Sequence, residues 1–151
     1  MQDYLKLRAR LELEDAGRWG EPGWSEAATR ASAADRQFAR RQFAAAARDD
    51  QAALQRLRQI EAERPVQLAD ALEQGRRALA SDDVDGAIGH FEAALLIASD
   101  DPDATAGIVQ ARKRGASIEQ MARGRSAEAQ GDLAAARAAY LEATRLDPEY
   151  P

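Results

Sequence analysis

The sequence predicts an all-α protein made of αα-hairpins in series. Three observations carry this. Alanine, the strongest helix former, supplies 36 of the 151 residues, whereas Val and Ile together supply 8, too few for a β-sandwich or a parallel sheet. From residue 25 onward small and apolar residues recur at steps of three and four, with no alternating run. Short polar breaks then divide the chain at Arg40–Gln42, Arg64–Pro65, Ser81–Asp83, Asp100–Pro102, Gln130–Asp132 and Asp147–Pro148, which predicts about seven helices. Leu, Ile, Val and Phe number only 25, so these helices are expected to pack closely through alanine without a thick aliphatic core.

Residues 2–16 read as a short amphipathic helix, with Tyr4, Leu7 and Leu11 on one face. Gly17, Gly20, Pro22 and Gly23 end it, and Ser25 stands where an N-cap for the next helix is expected. Trp19 and Trp24 flank this loop and are expected to staple the first helix to the hairpin that follows. Residues 1–24 thus form an N-terminal helix and loop, and residues 25–151 the hairpin array.

Within that array a pattern repeats. Near the C-terminus it runs Gly124, Gly131-Asp132, Ala136, Tyr140, Ala143 and Leu146-Asp147-Pro148. Gly75, Ala87, Phe91 and Ala94 lie in the same frame 49 residues earlier. Phe43, Ala46, Ala53 and Pro65, with Ala34 at the glycine position and Asp50 at the aromatic position, make a first copy. This pattern resembles the tetratricopeptide repeat (TPR), a helix–turn–helix of 34 residues. The copies cover about 25–65, 66–102 and 103–151. Against the family spacing, the first copy carries an excess of seven residues, about two helical turns. The next interval carries fifteen, roughly four turns, most of them after Pro102. Ala104, Ile108, Ala111, Gly115, Ile118 and Ala122 keep one face in register, which predicts one long helix near 103–130; a break at Gly115 is the alternative.

Chemistry is constrained by what is missing. With no Cys there is no disulfide or thiolate site, and a single His, His90, leaves no partner for nucleophile–base catalysis. No paired acids or Gly-rich phosphate loop occurs, so the chain reads as no enzyme and as needing no cofactor. Asp83, Asp85, Gly86 and Glu92 mimic part of a calcium loop, but Ser81 stands at the position that needs Asp, and residues 84–98 fit a helix; no metal site is expected. Arg112-Lys113-Arg114 reads as a solvated helical face, and with a net charge of −5 no nucleic-acid partner is expected. No window holds 18 apolar residues, so no segment reads as a membrane span. Nineteen arginines against two lysines, with the alanine content, point to a GC-rich bacterial genome.

The TPR resemblance implies a non-catalytic scaffold or adaptor that binds a protein or peptide in the concave groove lined by the first helix of each repeat. Carried over by position, that groove shows Ala69, Leu72, Arg76 and Leu79 from the middle copy, and Ile118, Met121, Arg125 and Glu128 from the last. Arg76 and Arg125 recur in phase and suit a ligand with an acidic side chain or a terminal carboxylate. The other reading is an interaction segment of a larger, membrane-anchored bacterial cell-envelope protein. The compartment is cytoplasmic if the chain is full length and periplasmic or envelope-associated if it is such a fragment. The last helix carries an apolar face around Tyr140, which predicts self-association there or a covering helix in a longer chain.

Overall fold

The computed structural model describes residues 2–150. Seven helices and no strand occur among the described residues: α1 (Gln2–Leu13), α2 (Ala16–Trp19), α3 (Gly23–Ala39), α4 (Phe43–Ala80), α5 (Val84–Ile97), α6 (Pro102–Ala129) and α7 (Leu133–Leu146). The chain divides into two compact units. One runs to Ala69 and includes Leu96–Ser99; the other comprises Asp70–Leu95 and the residues from Asp100 onward.

Three turns share one geometry. Arg41, Asp82 and Gly131 have φ of 62°, 60° and 80°, the left-handed value that closes a helix C-terminus. Each is followed by a residue whose N–H bonds back five positions: Gln42 to Gln37, Asp83 to Ala78 and Asp132 to Ala127, each at 2.9 Å. The next helix opens in the same way each time, with Ala46, Ala87 and Ala136 donating to the carbonyls of Gln42, Asp83 and Asp132. The carboxylates of Asp83 and Asp132 also cap Gly86 and Ala135, at 3.0 and 2.9 Å. Asp101 caps Ala104 and Pro102 opens α6, as the missing N–H of proline allows.

Several boundaries differ from the sequence reading. The loop after α1 contains the four-residue α2, and α3 begins at Gly23. Ser25 is therefore inside the first turn of α3 and does not cap it; its hydroxyl donates to Glu21 at 2.7 Å. The expected break at Arg64–Pro65 is absent, and α4 is a single helix of 38 residues with Pro65 inside it. Proline there removes one bond to the Glu61 carbonyl. The apolar face nevertheless continues at helical spacing through Ala53, Leu57, Ile60 and Leu68, all in or against one core. Arg64 adds an anchor beside the proline: it pairs with Glu14, donates to the Ile97 carbonyl at 2.7 and 3.1 Å, and lies over the Trp19 ring at 5.5 Å. By contrast, α6 runs unbroken through Gly115 for 28 residues, so the long helix near 103–130 is present.

The first unit has the larger apolar core. Tyr4, Leu11, Trp19, Leu57, Ile60 and Ile97 are buried in it with a set of alanines. Trp19 sits in this core and donates to the Glu14 carbonyl at 2.7 Å, while Trp24 packs against its edge. Antiparallel pairing of α3 and α4 is marked by the ion pairs Glu26–Arg56 and Arg30–Asp49. In the second unit the buried residues are mostly small. Ala87, Ala94, Ala104, Ala111, Ala136 and Ala143 are buried, and rings close against glycines. Gly89, in contrast, has open space around its missing side chain in mid-α5. Gly89→Ala is therefore expected to stabilise the protein by about 1 kcal/mol, the full propensity difference, read as a raised urea midpoint. Gly115 is a poorer site for the same change, because a Cβ there would lie 3.2 Å from Val84.

Candidate partner-binding grooves

Of the residues expected to line a concave groove, all but Ala69 belong to the second unit. Leu72 is buried, and Leu79, Ile118 and Met121 are half-buried. Arg76, Arg125 and Glu128 are exposed. Arg76 is paired within the chain, its guanidinium 2.8 Å from Asp103 at the start of α6. Glu128 accepts the Tyr140 hydroxyl at 2.8 Å, and this bond, with burial and the Glu128 charge, raises the phenol pKa against an opposing effect of Arg125. Ala69, at the edge of that expected set, is exposed and belongs to the first unit.

A second kind of surface was expected from the sequence only at the last helix, around Tyr140. It is the side of each hairpin that carries the aromatic position. In the middle hairpin this side is filled. Phe91 lies between Gly75 of α4 and Gly107 of α6, so closely that a Cβ on either glycine would fall 2.5–2.8 Å from its ring. The first half of α6 covers the rest of that side: Asp103 meets Arg76, Gly115 faces Val84, and Arg114 reaches the Leu79 carbonyl and the Asp82 carboxylate.

The corresponding side is open in the other two hairpins. In the first, Ala34, Asp35, Phe38, Phe43, Ala46 and Asp50 line a groove of about 440 Å³. The two phenylalanines, 64% and 57% exposed, meet edge to face at 5.3 Å on its rim. In the last, Glu128, Leu133, Ala136, Arg137, Tyr140 and Leu141 line one of about 370 Å³. Tyr140 packs on Gly124 as Phe91 packs on Gly75, but its groove is open and Leu133 is 70% exposed. Phe38 and Glu128, Phe43 and Leu133, Ala46 and Ala136, and Asp50 and Tyr140 are each 90 residues apart. The signal was present in the spacing, but exposure of Phe38 and Phe43 depends on what covers them.

The basic triplet divides in the structure. Arg112 and Lys113 are exposed, but the Arg114 side chain is only 13% exposed and pairs with Asp147, whose side chain is 1% exposed, as well as with Asp82. Gln110 also donates to Asp147, at 3.1 Å, and Tyr150 stacks on the Arg114 guanidinium at 4.6 Å while donating to Asp82. Burial pushes the Asp147 carboxyl up, but the hydrogen bond and charge of Arg114, with Gln110 and the Glu149 N–H, outweigh it and leave the pKa below the ordinary carboxylate value. This network holds the C-terminal segment on α6.

His90 is half-buried on α5, and Asp83 and Asp85 belong to the turn and first turn of that helix. No cluster of three or more metal-ligating side chains occurs among the described residues, and none of the described helices is long and apolar enough to cross a membrane. No family model, curated protein or solved structure matches the chain.

Proposed function

We propose that the chain is a non-catalytic protein-interaction scaffold of the tetratricopeptide type, binding a peptide or protein partner. The observation that carries this reading is the hairpin built three times in one frame. The same left-handed turn recurs at Arg41, Asp82 and Gly131, and the same alanines are buried at Ala46, Ala87 and Ala136 and at Ala53, Ala94 and Ala143. Such hairpins bury their faces on neighbours and leave long helical surfaces for partners. The ligand surface consists of Leu72, Arg76, Leu79, Ile118, Met121, Arg125 and Glu128, with exposed Arg125 as the anchor for an acidic side chain or a terminal carboxylate. Arg76 contributes after releasing Asp103, an exposed pair whose loss costs little.

An array of acidic and C-terminally free peptides, followed by titration of the best binder, tests this. Arg76→Ala/Arg125→Ala is expected to weaken that peptide by roughly 2 kcal/mol or more with little change in melting temperature. Unaltered binding by the double variant would remove both residues from the site. The Tyr140 groove supports self-association in the same scheme: sedimentation across a concentration series should show a dimer that Tyr140→Glu abolishes, and a wild type monomeric throughout would exclude it.

A further inference from the structure

The first hairpin has a groove whose natural cover can be read from the middle hairpin. There the first half of α6 is the cover, and it makes contact at four points. Asp103 pairs with Arg76, Gly107 takes the Phe91 ring, Arg114 meets Asp82, and Gly115 takes Val84. Asp103, Gly107 and Arg114 lie on one face of the helix, at steps of four and seven, and Gly115 lies beside that face.

Transferred by 41 residues, the receiving positions become Asp35, Asp50, Arg41 and Phe43. Both charged rim positions are inverted. Asp35 stands where Arg76 stands, and Arg41 stands where Asp82 stands. Asp35 and Arg41 are exposed, and neither has an ion-pair partner among the described residues. Phe38 stands for Leu79 and Phe43 for Val84, so the apolar rim is kept and enlarged, while Asp50 replaces Phe91 where Gly107 packs.

We infer that the first hairpin docks a helix of a partner protein with the reverse charge order of α6: a Lys or Arg near its N-terminal end, small residues along the apolar face, and an acid about eleven residues later, beside Arg41. The inverted rim excludes α6 itself, in this chain or in a second copy. An acid in the place of Asp103 would face Asp35, and a base in the place of Arg114 would face Arg41. This surface shares no residue with the arginine groove, so the two readings stand or fall independently.

The test uses two side-chain-stapled helical peptides corresponding to residues 102–116, labelled for fluorescence anisotropy against the full chain. One has the natural sequence; the other carries Asp103→Lys and Arg114→Glu. The charge-reversed peptide is expected to bind about tenfold more tightly, as two partly desolvated rim pairs imply. Asp35→Arg/Arg41→Asp in the protein is expected to reverse the preference, and Phe38→Ser/Phe43→Ser to abolish binding of both peptides. Far-UV circular dichroism confirms that each variant is folded. Failure of the charge-reversed peptide to bind the folded wild type would overturn the proposal. So would a preference unmoved by the rim double variant. Preference of the wild type for the natural peptide would assign the groove to a second copy and equally overturn a partner of reversed charge.

Discussion

Phe91→Ala is expected to destabilise the protein by about 3–5 kcal/mol, the upper range for deleting a buried aromatic. The ring is 2% exposed and held on both sides by glycines, Gly75 and Gly107. Neither neighbour has a side chain that could move into the space, and the glycine backbones are fixed in the interiors of α4 and α6. The cavity would therefore persist, which puts the cost at the high end for a given lost volume. Tyr140→Ala provides the comparison. Tyr140 has the same frame position, but it rests on one glycine and its other side opens into a groove. Its loss should cost roughly half as much, since the transfer and cavity contributions both fall when one side is already solvated. Urea unfolding of both variants measures the ratio. Equal losses would show that Phe91 is not held from two sides. Filling the glycines from the other direction, with Gly75→Ala or Gly107→Ala, should cost about 1–3 kcal/mol by overpacking.

Removing one member of the Arg114–Asp147 pair is the second large effect. Asp147→Ala leaves a guanidinium that is nearly enclosed, and Arg114→Met leaves a buried carboxylate; each is expected to cost about 3–5 kcal/mol. The first loss should be the smaller, because Asp82 also pairs with Arg114 and Tyr150 stacks on it. A double replacement by apolar residues should cost less than either single change, since no uncompensated charge is then buried. The pair also sets an acid limit. The folded Asp147 carboxyl titrates below its unfolded value, so its contribution is present above the unfolded pKa of about 4 and is lost as pH falls through the folded pKa. Glu142, lowered by its bond to Arg145, acts in the same direction at an exposed site. Thermal melts of the wild type and Asp147→Asn from pH 7 downward should converge in acid, with the wild type losing stability more steeply. Parallel curves would mean that Asp147 is not ionised in a paired state.

Residue types and spacing were enough for the parts of this protein governed by local rules. Alanine content and the steps of three and four specify helices. The expected breaks at Arg40–Gln42, Ser81–Asp83 and Gln130–Asp132 fall on the three left-handed turns. The positions of Phe91, Tyr140 and the buried alanines followed from one repeated frame. Even the long α6 was legible, because small residues stay on one face through Gly115, where the lost helix propensity is only about 1 kcal/mol.

The tertiary structure decided what depends on neighbours distant in the chain. Proline at 65 reads as a break because it removes a hydrogen bond locally. The helix continues because Ile60 and Leu68 share a core and Arg64 is held by Glu14, Trp19 and the Ile97 carbonyl. Arg114 reads as one of three surface bases, yet Asp147, 33 residues away, makes it an interior charge. Phe38 and Phe43 read like any apolar pair on a hairpin, and whether such residues are core or contact surface depends on a covering helix. In the middle hairpin α6 supplies that helix, and in the first the equivalent side is open. A repeated local pattern determines the shape of each hairpin, but burial is a property of two surfaces at once, so the sequence of one hairpin cannot say whether its partner is present.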